Sequence, residues 1–178
     1  MKRWDCIARR VSSDATEIVG VEIGVYKGDN ARHLLELLPN LKLYMVDRWQ
    51  PYSDEERSER KKTSEMVQGD AAYWADIFNQ ATAVQKQFVE RAFIYRMSSE
   101  VAAKNINEPL DFVFIDGDHL YKSVKKDIRL WLPKIKNGGW LCGHDIKREQ
   151  VQKAVFEMLP KEKIQKDKNN TWFYQVVR

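Results

Sequence analysis

Residues 19–30, Val-Gly-Val-Glu-Ile-Gly-Val-Tyr-Lys-Gly-Asp-Asn, read as a short β-branched run that ends in an acid and passes into a loop with a glycine at each end. Apolar residues then fall at Ala31, Leu34, Leu35 and Leu38, the i, i+3, i+4, i+7 spacing of one helix face, and Pro39 closes the helix. A strand that runs through a glycine loop into a helix restricts the fold sharply. The helix has to pack back on the strand, and the next strand has to lie parallel to the first.

The rest of the chain repeats this grammar. Residues 41–47 alternate and end on Asp47, giving a second strand. Residues 92–97 form a third, with Ser98 as N-cap of a helix over 99–105. Residues 110–115 are almost continuously apolar, the pattern of a central parallel strand buried on both faces. Tyr121, Val124, Ile128 and Trp131 mark the next helix, which Pro133 ends. Asn137-Gly138-Gly139 reads as a turn before a fifth strand at 140–142, and Val151, Ala154, Val155 and Met158 mark a further helix. Residues 163–165 and 172–177 flank Lys168-Asn169-Asn170 and read as an antiparallel hairpin. Residues 4–13 form a short amphipathic lead-in, and the apolar positions within 72–91 recur at helical spacing. The charge-dense stretch 51–70 is an exposed helix or a lid. The expected architecture is α/β, a doubly wound, mostly parallel sheet with right-handed crossovers and a closing antiparallel hairpin.

At 178 residues a single domain over 1–178 is expected. No apolar run reaches the roughly 20 residues that cross a bilayer, and residues 1–6 lack the apolar centre of a signal peptide. We therefore expect a cytoplasmic protein without a membrane partner. Cys6 and Cys142 have no metal-type spacing and read as two buried reduced thiols. A net charge of +4 is mildly basic. It leaves nucleic acid open as a partner and does not argue for it. A homodimer is likewise open.

Chemistry concentrates at the strand ends. Glu22, Asp47 and Asp116 end strands one, two and four, and Asp145 follows strand five. In an open parallel sheet these ends share one edge, where ligands bind. One such acid is commonly a helix cap or an exposed charge. Four along one edge repel each other unless something cationic or rich in hydroxyls meets them. Asp47 lies about 20 residues past the glycine loop, where a carboxylate can accept both ribose hydroxyls. The loop is Glu-x-Gly-x-x-x-Gly, and Tyr26 stands where a pyrophosphate would need a small residue. This favours a nucleoside with a positive centre, such as S-adenosylmethionine, over a dinucleotide.

A second constellation is Phe112-Val-Phe-Ile-Asp116-Gly-Asp118-His119-Leu-Tyr121, followed by Gly143-His144-Asp145. Asp116, His144 and Asp145 can converge on one divalent ion, with oxygen ligands suiting magnesium or calcium and the imidazole tilting the choice toward manganese, iron or zinc. His119 stands one turn from Asp116 and is placed to take a proton from a substrate hydroxyl, or simply to brace the loop. Asp118 reads as a cap for the helix that follows.

With these motifs the chain resembles class I S-adenosylmethionine-dependent methyltransferases, most of all the small O-methyltransferase-like group that includes macrolide sugar O-methyltransferases and cephalosporin hydroxylase-type proteins. The matching pieces are Val21-Glu-Ile-Gly-Val-Tyr-Lys-Gly28, Val46-Asp-Arg-Trp49, Phe114-Ile-Asp-Gly-Asp-His-x-Tyr121, Leu132-Pro-Lys-Ile-Lys-Asn-Gly-Gly139 and Gly143-His-Asp145. The resemblance implies a Rossmann-like seven-stranded sheet of order 3-2-1-4-5-7-6. It implies S-adenosylmethionine as cofactor, its methionine part held by Glu22, Gly24 and Gly28 with Tyr26 and Lys27 in the same loop. Asp47 would hold the ribose, followed by Arg48 and Trp49, and Met97 and Ser98 would lie near adenine, with Asp116 also at the cofactor. Metal-dependent members place a divalent ion, magnesium or manganese, at the positions of Asp116, His144 and Asp145. The pair matching His144-Asp145 is usually two acids, or an acid and an amide, so His144 departs from the pattern. Asp116, His119 and Asp145 are the expected catalytic residues, and 51–70 is expected to cover a small-molecule substrate. The expected reaction is O-methylation of a small-molecule hydroxyl. The competing readings are an NAD(P)-dependent oxidoreductase on a similar sheet and a non-catalytic nucleic-acid-binding module.

Overall fold

The computed structural model describes residues 2–12, 15–60 and 65–178. Its strands are β1 (Ile18–Ile23), β2 (Leu41–Asp47), β3 (Ala92–Arg96), β4 (Leu110–Ile115), β5 (Ile135–Gly143), β6 (Gln165–Lys166) and β7 (Trp172–Gln175). They form one sheet of order β3-β2-β1-β4-β5-β7-β6. The first five pair in parallel, β7 runs antiparallel to β5, and β6 runs antiparallel to β7. The helices are α1 (Arg3–Val11), α2 (Asp29–Leu37), α3 (Asp54–Arg60), α4 (Glu65–Gln68), α5 (Ala71–Gln87), α6 (Ser99–Asn105), α7 (Tyr121–Trp131) and α8 (Glu149–Met158). The expected fold class and strand order are those observed.

Alternation along the strands sorts the core into two layers. Leu41, Leu43, Met45, Phe112 and Phe114 face α1, α2 and α5 through Ile7, Leu34, Leu35, Trp74 and Ile77. Tyr44, Val46, Val113 and Ile115 face α6, α7 and α8 through Ala102, Val124, Ile128, Trp131 and Val155. The continuous apolar run of β4 is thus explained, because both of its faces are covered. Cys6 and Cys142 are free and buried. Among the described residues no helix is long and apolar enough to cross a membrane.

Three local expectations change. Asn137-Gly138-Gly139 lies inside β5 and is not a turn between elements. The register against β4 shifts between Leu110 and Phe112, and Gly138 takes φ 83°, so the extra residues are absorbed as a bulge. Asp118 is not an N-cap; Leu120 occupies that place without a side-chain cap. Asp118 instead accepts from the Leu120 N–H and from Ser123 Oγ, at 3.3 and 2.8 Å. The stretch 53–69 carries two short helices, α3 and α4; residues 61–64 of the expected lid lie outside the described residues.

Gly20 in β1 is required by packing. A Cβ there would lie 2.2 Å from the Phe112 ring, and Phe112 is fully buried. Gly20→Ala should therefore destabilise the fold by about 1–3 kcal/mol through overpacking. In a double-mutant cycle read by chemical denaturation, Phe112→Leu should cost less in that background than in the wild type. Additive costs would show that the ring is not the obstacle.

Candidate active site

The loops after β1, β2, β4 and β5 meet at one edge of the sheet. Gly24 takes φ 85°, and a Cβ on it would come within 2.4 Å of the Asp116 carbonyl oxygen and the Gly117 Cα. The first and fourth loops therefore touch backbone to backbone. Asp47 ties the first loop to the second, accepting from the Tyr26 N–H through Oδ2 and from the Trp49 N–H through Oδ1, each at 3.0 Å. The Trp49 indole donates back to the Tyr26 carbonyl at 2.8 Å. Tyr26, Trp49 and Asp145 all have positive φ, 56°, 44° and 59°. Strain of this kind, about 1–3 kcal/mol per residue, persists only where the surroundings enforce it, and it gathers at functional sites.

The loops after β1, β2, β3 and β4 line a cavity of about 330 Å³, within the range of small-ligand pockets. Of the residues expected at a cofactor, Gly24, Tyr26, Asp47, Arg48, Met97, Ser98 and Asp116 line it. Lys27, Gly28 and Trp49 are not among its lining residues. Trp49 is fully buried, packed against Phe78, and Gly28 precedes α2 with φ 89°. Ile23, Val46, Met66 and Trp74 supply apolar wall.

Asp127, Ser99 and Arg60 also line the cavity, and nothing in the local sequence marks them. Asp127 is buried on α7 and accepts from Ser99 Oγ at 2.5 Å, while Trp131 Nε1 donates to the same hydroxyl at 2.8 Å. Burial pushes the Asp127 carboxyl up to about 6. Arg60 reaches from α3 to Asp118 Oδ2 at 2.7 Å and lies over the Tyr52 ring at 4.2 Å. Arg48 pairs with Glu56 at 2.8 Å. The short helix α3 is thus fastened to the rim of the cavity.

Glu22 sits behind this cavity, 1% exposed. Asn30 Nδ2 donates to its Oε1 at 3.1 Å, and its Oε2 has no partner. Burial pushes its pKa from the usual 4.5 to about 8, against the lowering influence of Arg3 and Asn30.

Beside the cavity, Asp116, His144 and Asp145 come together, with one ligand atom from each within 4.8 Å of the others. His119 Nε2 approaches Asp145 Oδ2 to 2.7 Å, a close contact whose alignment falls short of a hydrogen bond. Burial opposes charge on His119, but Asp116 and Asp145 outweigh it and raise its pKa. Asp145 raises the pKa of His144 against burial. Burial likewise opposes ionisation of Asp145, yet His119, His144 and Arg148 hold it well below the usual carboxylate range. Two guanidiniums complete the cluster. Arg3 of α1 contacts Asp116 Oδ2 at 2.5 Å, and Arg148 contacts Asp145 Oδ2 at 2.8 Å.

The three expected ligands are therefore within reach of one divalent ion. However, their negative charge is already met by Arg3 and Arg148, and the donor set does not fit an added dication. A second cavity, about 480 Å³, adjoins this cluster and is lined by Arg3, Trp4, His33, His144 and Asn169, with Lys2 and Asp29. The Trp4 and His33 rings stack there at 3.9 Å.

A family model described as Methyltransferase domain matches residues 21–146. Among solved structures, that of the O-methyltransferase NovP superposes with a TM-score of 0.65 at 17% identity, covering 99% of this chain and 80% of that one. The calicheamicin methyltransferase CalS11 superposes with a TM-score of 0.69 at 16% identity, covering 97% and 76%. At such identities the likeness is one of fold. Uncharacterized protein y4gI of Sinorhizobium fredii is 28% identical over 74 residues, 41% of this chain and 8% of that protein, so the match takes in only a small part of this curated relative's length.

The displaced pKa of Glu22 has a consequence for stability. Between about 4.5 and 8, the folded state holds a proton that the unfolded state has released, so stability falls as pH rises, at a limiting slope of about 1.4 kcal/mol per pH unit. Glu22→Gln cannot ionise. Its melting temperature relative to wild type should climb steadily from pH 5 to pH 8. A constant difference across that range would show that Glu22 titrates normally.

Proposed function

The chain belongs to the methyltransferase-domain family, and from that premise we propose that it is an S-adenosylmethionine-dependent O-methyltransferase acting on a hydroxyl of a small molecule. The observation that carries this reading is the single cavity lined by Asp47 and Asp116 together with Met97 and Ser98. It offers a carboxylate for vicinal hydroxyls, apolar surface for a flat base and negative charge for a cationic centre. The printed descriptions of NovP and CalS11 as O-methyltransferase and methyltransferase support the same class.

Each Asp47 oxygen accepts one backbone N–H, which leaves each with a further lone pair for a ribose hydroxyl. Because those N–H groups belong to the first and second loops, the carboxylate is oriented before any ligand arrives. Ile23, Val46 and Met97 provide the apolar contact for adenine, and Ser98, Ser99 and Asp127 provide polar groups along its edge. Asp116 lines the same cavity as Asp47, whereas Glu22, buried behind it with its pKa raised to about 8, is protonated at neutral pH and supports the site through Asn30 rather than by charge. When bound, S-adenosylmethionine supplies a methyl group whose carbon–sulfur electrons remain on sulfur as the methyl passes to the acceptor oxygen.

The second cavity, across Asp116 from the first, is the room available for that acceptor. The hydroxyl proton leaves for the imidazole–carboxylate cluster of His119, His144 and Asp145, and alignment of the two reactants supplies most of the acceleration. The α3 segment, clipped down by Arg60, lies against the cofactor cavity, whereas the charge-dense stretch 51–70 is expected from the sequence to cover the substrate. Two buried free thiols support a reducing, cytoplasmic setting.

Titration calorimetry with S-adenosylmethionine tests the map. Asp47→Ala should weaken binding by roughly ten- to a hundredfold, the worth of one or two hydrogen bonds to a charged group. Asp145→Ala should bind like wild type and lose turnover. Unchanged affinity in Asp47→Ala would remove the proposed cofactor site. Arg60→Ala should raise the dissociation constant several-fold and speed amide exchange across 54–60, and unaltered exchange there would refute the clip.

A further inference from the structure

Arg3 stands at the seam between the two cavities. Its partner Asp116 lines the first, while Arg3 itself lines the second with His144. The ion pair between them therefore joins a residue of the first cavity to a residue of the second, beside the point where a methyl donor and an acceptor would meet. Arg3 is not a loose surface side chain in this position. It is delivered by α1, whose Cys6, Ile7 and Val11 are buried. Arg10, two turns further on, pairs with Asp167 at 2.9 Å and lies over Phe173 at 3.8 Å.

Other groups of the cluster are also engaged within the protein. Asp145 Oδ2 pairs with Arg148 and lies close to His119 Nε2, and its Oδ1 accepts from Asn170 Nδ2 at 2.9 Å. His144 Nε2 lies 3.0 Å from the Asn169 carbonyl oxygen, which can only accept, so this nitrogen carries a hydrogen. Nδ1 is thereby turned toward Asp116 and Asp145, at 3.7 and 3.5 Å. Two carboxylates, an imidazole and a dication make a neutral set. Here two guanidiniums already neutralise the carboxylates, and a dication would be added to a site with no negative charge left over.

We propose that the Arg3 guanidinium, fixed by α1 on Asp116, takes the place of a divalent cation in this cluster. It is the positive group presented to the acceptor oxygen, and the site works without a metal. A guanidinium is always charged and offers five donors, so one edge can grip Asp116 while others remain for the negative charge that grows on the acceptor. The inference rests on the methyl-transfer reading above for its role, but not for its test.

The test is manganese(II) alone, titrated into the full chain and followed by electron paramagnetic resonance, with S-adenosylmethionine binding measured separately by calorimetry. The wild type should leave the free-ion signal intact. Arg3→Ala should bind manganese at least about a hundredfold more tightly, as expected for removing a nearby positive charge, and Arg3→Ala with Asp145→Asn should lose that gain. Arg3→Lys, which retains the charge, should behave like wild type, and Arg3→Gln stands in if the alanine variant does not fold. Manganese binding to the wild type that Asp145→Asn abolishes would overturn the proposal. So would a folded Arg3→Ala or Arg3→Gln that gains no affinity. If S-adenosylmethionine binds none of these proteins, the methyl-transfer reading fails, and the manganese result still decides what Arg3 does.

Discussion

The arrangement of this edge depends on the close approach of two loop backbones, Gly24 against Asp116 and Gly117. A side chain at position 24 would push the β1 and β4 loops apart. Glu22, Asp47 and Asp116 would then no longer belong to one site. The hydrogen bonds from the Asp116 N–H to the Ile23 carbonyl, at 2.8 Å, and from the Gly24 N–H to the Val46 carbonyl, at 2.9 Å, extend the sheet pairing into the loops. Parallel pairing brings the strand ends to one level, and the missing Cβ lets the loops close on each other.

Much of this was readable from the residues because it follows from period and spacing. The alternation of Leu41, Leu43 and Met45 with Tyr44 and Val46 predicts a strand, and the acids at the strand ends predict a shared edge. Ser98 was legible as a cap because Ser one residue before a helix has a defined job, and it accepts the Val101 N–H as expected. The Asn137-Gly138-Gly139 run misled because a bulge and a turn demand the same residues; only the partner strand tells them apart. Asp118 misled for a similar reason. A short acid before a helix suits several N–H groups, and this one serves the loop and Arg60.

What could not be read were pairings across long separations in which neither residue is unusual. Arg3 and Asp116 are 113 residues apart, and an arginine early in an amphipathic helix looks like solvated surface. Asp127 likewise looks like any polar residue on a helix such as α7, until Ser99 and Trp131 are seen to bury it. The charge balance of the Asp116–Asp145 cluster, which decides whether a metal belongs there, is set by Arg3 and Arg148, and Asn170 occupies a further carboxylate oxygen. None of these forms part of the motif that drew attention to the cluster.

The reach of α1 also bears on how the molecule comes into being. Its polar partners lie far along the chain: Asp116, Asp167 for Arg10 and Asn169 for Cys6 are 113, 157 and 163 residues away. During synthesis the first helix is made long before the groups that anchor it, and loop closure over such distances is slow. The central strands can pair early, and Trp4 can stack on His33 of α2, but Arg10 and Cys6 cannot meet Asp167 and Asn169 until the last hairpin has emerged. The last polar ties of α1 are thus made at the end of assembly, and a chain halted before Asp167 would carry the sheet's acidic edge with that helix only partly anchored.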